Sequence, residues 1–192
     1  MQNLAPRDGE IYWYREFYSP PEADRLFVTL LKELTWQEEE IMIAGKKIKV
    51  PRLMCWYGDD NAVYKYSGVV HVPLPWTDVL LNIKQHIDGQ CRHSFNCVLA
   101  NLYRDGSDSM GWHADKEKEL GKEPVIASLS FGEQRLFKIR HNKSKEMLDF
   151  NLQHGDLLVM RGVLQHHWRH SLPKAGEKSG KRINLTFRTI LV

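Results

Sequence analysis

FNCVLANLYRDGSDSMGWHADKEKELGKEPVIASLSFGEQRLFKIR, residues 95–140, is the stretch whose reading decides the fold. It holds three short runs of strand character, Phe95–Tyr103, Val125–Ser130 and Arg135–Arg140, parted by Gly, Pro, Asp and Ser turn signals. Outward from it the pattern continues. EEEIMIAGKKIKVPR, residues 38–52, reads as a hairpin turning at Ala44-Gly45, and Val69–Val72, Asp156–Met160 and Arg182–Val192 read as further strands. Helical spacing occurs in two places. Ser19 to Glu22, S-P-P-E, is a capping box with Pro at the first helical position, and Leu26, Phe27, Leu30, Leu31 and Leu34 follow as one apolar face ending near Trp36. A second helix is expected from Thr77 through Val79, Leu80, Ile83 and Ile87 to a stop at Asp88-Gly89. Two helices and many short strands give an α+β or mainly β class rather than repeated βαβ units. A jelly-roll or similar double sheet is the natural closure.

The 192 residues suit one domain. With 42% apolar and 27% charged residues there is enough for a substantial core, which excludes wholesale disorder. The 27 Lys and Arg against 24 Asp and Glu leave +3, a mildly basic balance compatible with a polyanionic partner. Three cysteines, Cys55, Cys91 and Cys97, form an odd set without C-x-x-C spacing. That argues against a disulfide framework or a cysteine zinc site and for a reducing compartment. No repeat, signal peptide or apolar run of about 18 residues is visible. The expectation is a cytoplasmic monomer with no membrane partner, nuclear localisation being open in a eukaryote.

The chemistry concentrates in NLYRDGSDSMGWHAD, residues 101–115. His113 and Asp115 are one residue apart, so in extended chain both side chains leave on one face and can meet a single ion. His170, in HWRHSLP, is the candidate third ligand. Two His and one carboxylate with open positions is the ligand set of non-haem Fe(II) oxygenases. On the H-x-D pair alone, a turn histidine beside a helix-capping aspartate is the better account.

The C-terminal strand shifts that balance. In RINLTFRTILV, Arg182, Asn184, Thr186 and Arg188 share one face, and Ile183, Leu185, Phe187 and Thr189 the other. Two arginines on a buried face need anions, and a small dicarboxylate satisfies both, because each guanidinium grips a carboxylate bidentately. Asn101 and Tyr103 form a matching same-face pair. A solvated polar face is the alternative, and without the H-x-D pair it would be the better reading.

Taken together, FNCVLANLYRDGSDSMGWHADKEKEL, PVIASLSFGEQRLFKIRH, HWRHSLP and RINLTFR resemble the AlkB family of Fe(II)- and 2-oxoglutarate-dependent nucleic-acid demethylases, from about Pro51 to Val192. The resemblance implies a double-stranded β-helix (jelly-roll) core over 91–192, with N-terminal helices and a substrate lid over 1–90. It implies His113, Asp115 and His170 as iron ligands; His170 is preferred to His166 and His167 because it precedes S-L-P. Arg182, assisted by Tyr103, would take the distal carboxylate of 2-oxoglutarate. Arg188, with Asn101 and Asn184 nearby, would hold the chelating end. The implied reaction uses dioxygen and 2-oxoglutarate to hydroxylate an N-methyl group on a base such as 1-methyladenine or 3-methylcytosine, releasing formaldehyde, in DNA or RNA. Rival readings are an oxidative demethylase of RNA modifications or of protein, and a jelly-roll module that holds metal without turnover.

For the nucleic acid, a flipped base is implied to stack on Tyr64 and Tyr66, with Glu117 touching the lesion. The Ile41–Lys47 hairpin matches a finger that duplex-acting relatives wedge into the stack, though Ile43 and Ala44 stand where those carry an aromatic; an ordinary edge hairpin fits equally well. Lys46, Lys47, Lys49 and Arg52, Lys174, Lys178 and Lys181, and the segment Lys138–Lys145 are the expected phosphate contacts.

Overall fold

The strand Arg182–Arg188 is buried along its whole length, apolar side chains on one face and polar ones on the other, and the molecule is arranged around it. The structure is a computed structural model describing residues 2–43, 46–66, 69–176 and 178–191. In chain order its elements are β1 (Glu10–Tyr14), α1 (Pro20–Glu33), β2 (Gln37–Ile43), β3 (Lys46–Gly58), β4 (Tyr64–Tyr66), β5 (Val69–His71), α2 (Asp78–Cys91), β6 (Cys97–Tyr103), β7 (Met110–His113), β8 (Ile126–Gly132), β9 (Arg135–His141), β10 (Met147–Leu152), β11 (Leu157–Arg161), α3 (Leu164–His167), β12 (Trp168–Leu172) and β13 (Arg182–Arg188). Seven strands form a major sheet in the order β1-β11-β8-β13-β6-β3-β2, four form a minor sheet β10-β9-β12-β7, and β4 pairs with β5. All the ladders are antiparallel. The two large sheets make the double-stranded β-helix.

Period-two alternation explains what each face does. Val98, Ala100 and Leu102 of β6, Leu129 and Phe131 of β8, and Ile183, Leu185 and Phe187 of β13 pack outward with Leu30 of α1 and Leu80, Ile83 and Ile87 of α2. Each of these Val, Leu, Ile and Phe side chains contributes about 1.5–3 kcal/mol. The opposite faces turn toward the minor sheet, where Phe137, Ile139, Phe150, Trp168 and Leu172 close one end of the space between sheets. The rest of that space, lined by polar side chains of the major sheet together with apolar ones, carries the site.

Both helices form where the sequence places them. The Ser19 N–H donates to Glu22 at 3.2 Å, half of the capping box, and Thr77 Oγ1 accepts from the Leu80 N–H at 3.4 Å. The expected stop at Asp88-Gly89 is corrected: α2 runs on to Cys91 and ends at Arg92, in left-handed conformation with φ 48°. Leu80, Ile83, Ile87 and Cys91 are all buried, so the apolar stripe continues past the glycine, one turn beyond Ile87, and packing overrides the local signal. The strand expected over 182–192 stops at Arg188. Strands β1, β4, β7, β10 and β12 add to those expected. The N-terminal 90 residues are also more than helices and lid, since β1 pairs with β11 and β3 with β6. Among the described residues no helix is long and apolar enough to cross a membrane.

Candidate active site

His113 closes β7 and His170 lies in the middle of β12, directly opposite it in the ladder. Register thus places two imidazoles side by side, ring centroids 4.2 Å apart. Asp115 lies just beyond the end of β7, its Oδ1 3.9 Å from His113 Nε2. One ligand atom from each of the three residues falls within 4.8 Å of the others. The spacing H-x-D does what extended chain requires, and the cross-strand neighbour supplies the third donor.

Hydrogen bonding leaves the right atoms available. His113 Nδ1 faces the Gly111 carbonyl oxygen at 2.8 Å; as donor there it leaves the Nε2 lone pair free for an ion. Arg188 Nη2 donates to Asp115 Oδ2 at 2.8 Å, which turns Oδ1 toward His113. Burial alone would raise the Asp115 carboxyl, but the Arg188 guanidinium, with the imidazoles adding, holds it well below the usual range. Burial pushes His170 down to about 3, with His113 and Arg188 adding to it, and burial lowers His113 as well. At neutral pH the three groups are two neutral imidazoles and one carboxylate, the donor set that holds a divalent cation.

A second trio, Asp8, His141 and His167, meets the same distance test and fails the chemical one. His141 Nδ1 accepts from the Ser144 N–H at 3.0 Å, so in the neutral ring Nε2 carries the proton and faces Asp8 Oδ2 at 3.1 Å. That arrangement pins residues 7–8 to the minor sheet, as does the Trp168 Nε1–H donated to the Arg7 carbonyl at 3.1 Å.

The first trio opens into a cavity of about 280 Å³ whose lining includes Asn101, Tyr103, Arg182, Asn184 and Arg188, as the strand faces require. Arg182 is 2% exposed. It donates to Ser130 Oγ at 2.9 Å and lies 5.3 Å from the Tyr103 ring centroid. Its Nε has no partner among the described residues, so a buried cation faces the cavity with hydrogen-bonding capacity to spare. Asn184 is tied to Ser128 Oγ at 2.8 Å and to Thr186 at 2.8 Å. Arg188 binds Asp115 rather than waiting only for a ligand.

The lid residues fare differently. Arg52, expected among the phosphate contacts, is corrected: it is 2% exposed, lines the cavity and donates from Nε to Asn101 Oδ1 at 2.7 Å. It alternates with outward Lys49 on the same strand, and the pleat sends the two apart. Lys49 pairs with Glu38 at 2.6 Å. Lys174, Lys178 and Lys181 are exposed. Glu117 is half-buried and does not line the cavity. Tyr64 and Tyr66 lie on β4 and Ile43 ends β2, but their side chains, and Ala44-Gly45 entirely, lie outside the described residues. Two residues escaped the sequence reading: Gln165, bonded to Asp115, and Arg135, whose guanidinium binds the carbonyls of Asp105, Asp108 and Pro173. Neither left a signal in the sequence, because their partners are backbone groups brought in by the fold.

This geometry has counterparts among known proteins. The profile of the 2OG-Fe(II) oxygenase superfamily matches residues 10–188. The alpha-ketoglutarate-dependent dioxygenase alkB homolog 3 of Bos taurus is 40% identical over 184 residues, covering 91% of this chain and 64% of that protein. The human DNA oxidative demethylase ALKBH2 is 39% identical over 190 residues, covering 93% and 73%. The chain thus spans about two-thirds of the length of these relatives. The solved structure of OsALKBH1 superposes with a TM-score of 0.67 at 18% identity, covering 98% of this chain and all of that one, which speaks for the fold. A profile match across nearly the whole chain, with relatives near 40% identity, places the protein in the 2OG-Fe(II) oxygenase superfamily and, within it, in the AlkB family.

Proposed function

We propose that the protein is an Fe(II)- and 2-oxoglutarate-dependent dioxygenase that oxidatively demethylates N-alkylated bases, such as 1-methyladenine and 3-methylcytosine, in DNA or RNA. In this reading His113, Asp115 and His170 hold the iron. Arg182 and Tyr103 receive the distal carboxylate of 2-oxoglutarate, while Asn101, Asn184 and Arg188 shape the chelating end. The bound iron, with dioxygen and 2-oxoglutarate, supplies the oxidising power for hydroxylating the methyl group. The chain's own part is to fix the donors and exclude water. Arg188 keeps Asp115 ionised and aimed, and the ladder between β7 and β12 keeps the imidazoles adjacent. Leu99, Phe137, Met160 and Leu172 supply apolar cavity wall, shielding the reacting atoms.

Tyr64, Tyr66, Glu117 and Ile43 are proposed to meet the nucleic acid at the mouth, Arg52 from within the cavity, and the exposed lysines of residues 174–181 along the phosphates. The observation that carries the proposal is the convergence of His113, Asp115 and His170 on the same cavity as Arg182, a buried cation lacking a carboxylate partner among the described residues. The names of the relatives support the same chemistry.

The test is formaldehyde release by purified protein with ferrous iron and 2-oxoglutarate, on one methylated base presented in single-stranded DNA, duplex DNA and RNA. Release that is abolished by His113→Ala and by Asp115→Ala is the expected result. Release unchanged in Asp115→Ala refutes the assignment.

A further inference from the structure

Asp115 belongs to no regular element, so no strand ladder fixes its peptide. Its backbone N–H instead donates to Oε1 of Gln165, fifty residues away in sequence, at 3.0 Å. Both residues are buried, at 5% and 2% exposure. The same Gln165 amide donates from Nε2 to Met160 Sδ at 3.7 Å. Turning that amide over would set its NH2 against the Asp115 N–H, donor facing donor, so the orientation is chemically fixed. A buried peptide N–H deprived of its acceptor is costly, which makes this contact a strong constraint on where the Asp115 main chain lies.

We propose that Gln165 is a positioning residue for the metal-binding carboxylate; this rests on reading the His113, Asp115 and His170 trio as a metal centre. Gln165 holds Asp115 by its main chain while Arg188 holds it by its side chain. The carboxylate is thus fixed at both ends without Gln165 touching the ion. Gln165 also lies on α3, which runs directly into β12 and His170. One amide therefore couples the loop carrying the carboxylate to the strand presenting the second imidazole, and the three donors are kept in one geometry.

The test compares Gln165→Met and Gln165→Glu in the full chain, with Co(II) as the probe because its visible spectrum reports ligand number and geometry. Met keeps the unbranched length and removes the oxygen. Glu keeps an acceptor oxygen at the same place, so that it reproduces the bond from the Asp115 N–H. The expected result is Co(II) binding about 10- to 100-fold weaker in Gln165→Met, with an altered spectrum, and near-original affinity and spectrum in Gln165→Glu. Unchanged affinity and spectrum in Gln165→Met overturn the proposal, as does a folded Gln165→Glu that behaves like the Met variant. Should the Met variant not fold, hydrogen exchange at the Asp115 amide of the unsubstituted metal-free protein decides: protection supports the contact and free exchange overturns it. A Co(II) spectrum indifferent to His113→Ala instead refutes the metal centre itself, and with it any role of Gln165 toward it.

Discussion

Replacing Arg182 with methionine is expected to pull stability and ligand binding in opposite directions. Burial, with the like charge of Arg135 adding to it, lowers the Arg182 guanidinium from 12.5 to about 10. The charge therefore costs the folded state about 3 kcal/mol. Methionine removes that cost. It also removes the bond to Ser130 Oγ at 2.9 Å, worth about 1 kcal/mol, and underfills the site by about another 1 kcal/mol. The metal-free variant should come out about 1 kcal/mol more stable, or level, by urea denaturation followed by tryptophan fluorescence. Binding of 2-oxoglutarate to the Mn(II)-loaded protein should weaken by about 2–5 kcal/mol, or about 30- to 5,000-fold, because a charge-assisted bidentate pair is lost. Calorimetric titration measures it. A variant that loses about 3 kcal/mol of stability or more while binding 2-oxoglutarate as before would falsify the reasoning, since Arg182 would then be a structural cation.

Asp156 accepts from Trp13 Nε1 at 3.0 Å, the Glu16 N–H at 3.0 Å and the Gln153 N–H at 2.9 Å; Asp156→Ala should cost about 3–4 kcal/mol in urea melts, and a loss below about 1 kcal/mol contradicts its role as the clasp of β1. Gly155 has φ +83° and an added Cβ would lie 2.3 Å from the Tyr18 carbonyl oxygen, so Gly155→Ala should lower the melting temperature, and an unchanged value argues against that backbone geometry. Burial pushes the thiols of Cys55 and Cys97 up to about 12 and of Cys91 to about 11. They should resist a thiol reagent at pH 8 until the protein is unfolded. Because the folded values exceed the unfolded one, their stabilising contribution is complete below the unfolded value and fades as pH rises toward the folded ones. Alkaline titration of stability that stays flat past pH 11 contradicts this.

Legibility from sequence followed how far local pattern and tertiary environment agreed. β13 was readable because its alternation is complete, and its polar face named Arg182, Asn184 and Arg188 before any contact was known. β7 and β12 were not. MGWH exposes two consecutive residues at a sheet edge, and WRHSL buries His170 and Ser171 in succession, so neither carries a clean period of two. Both irregularities belong to the site itself, where donors displace packing residues. The inward turn of Arg52 and the Arg188–Asp115 pair were hidden for another reason: each depends on a neighbour brought in by the fold. Gln165 was illegible because its partner is a peptide N–H, which leaves no mark on the side-chain pattern.

The pairing of His113 with His170 across an edge ladder has a kinetic corollary. β7 is zipped to the minor sheet along one margin only, and fraying at that margin would carry one imidazole away from the other. Ion loss and rim breathing are then a single event, so the escape rate of a bound cation should track the opening rate of this short ribbon. A resident ion would, by the same token, act as a rivet on the sheet's weakest seam.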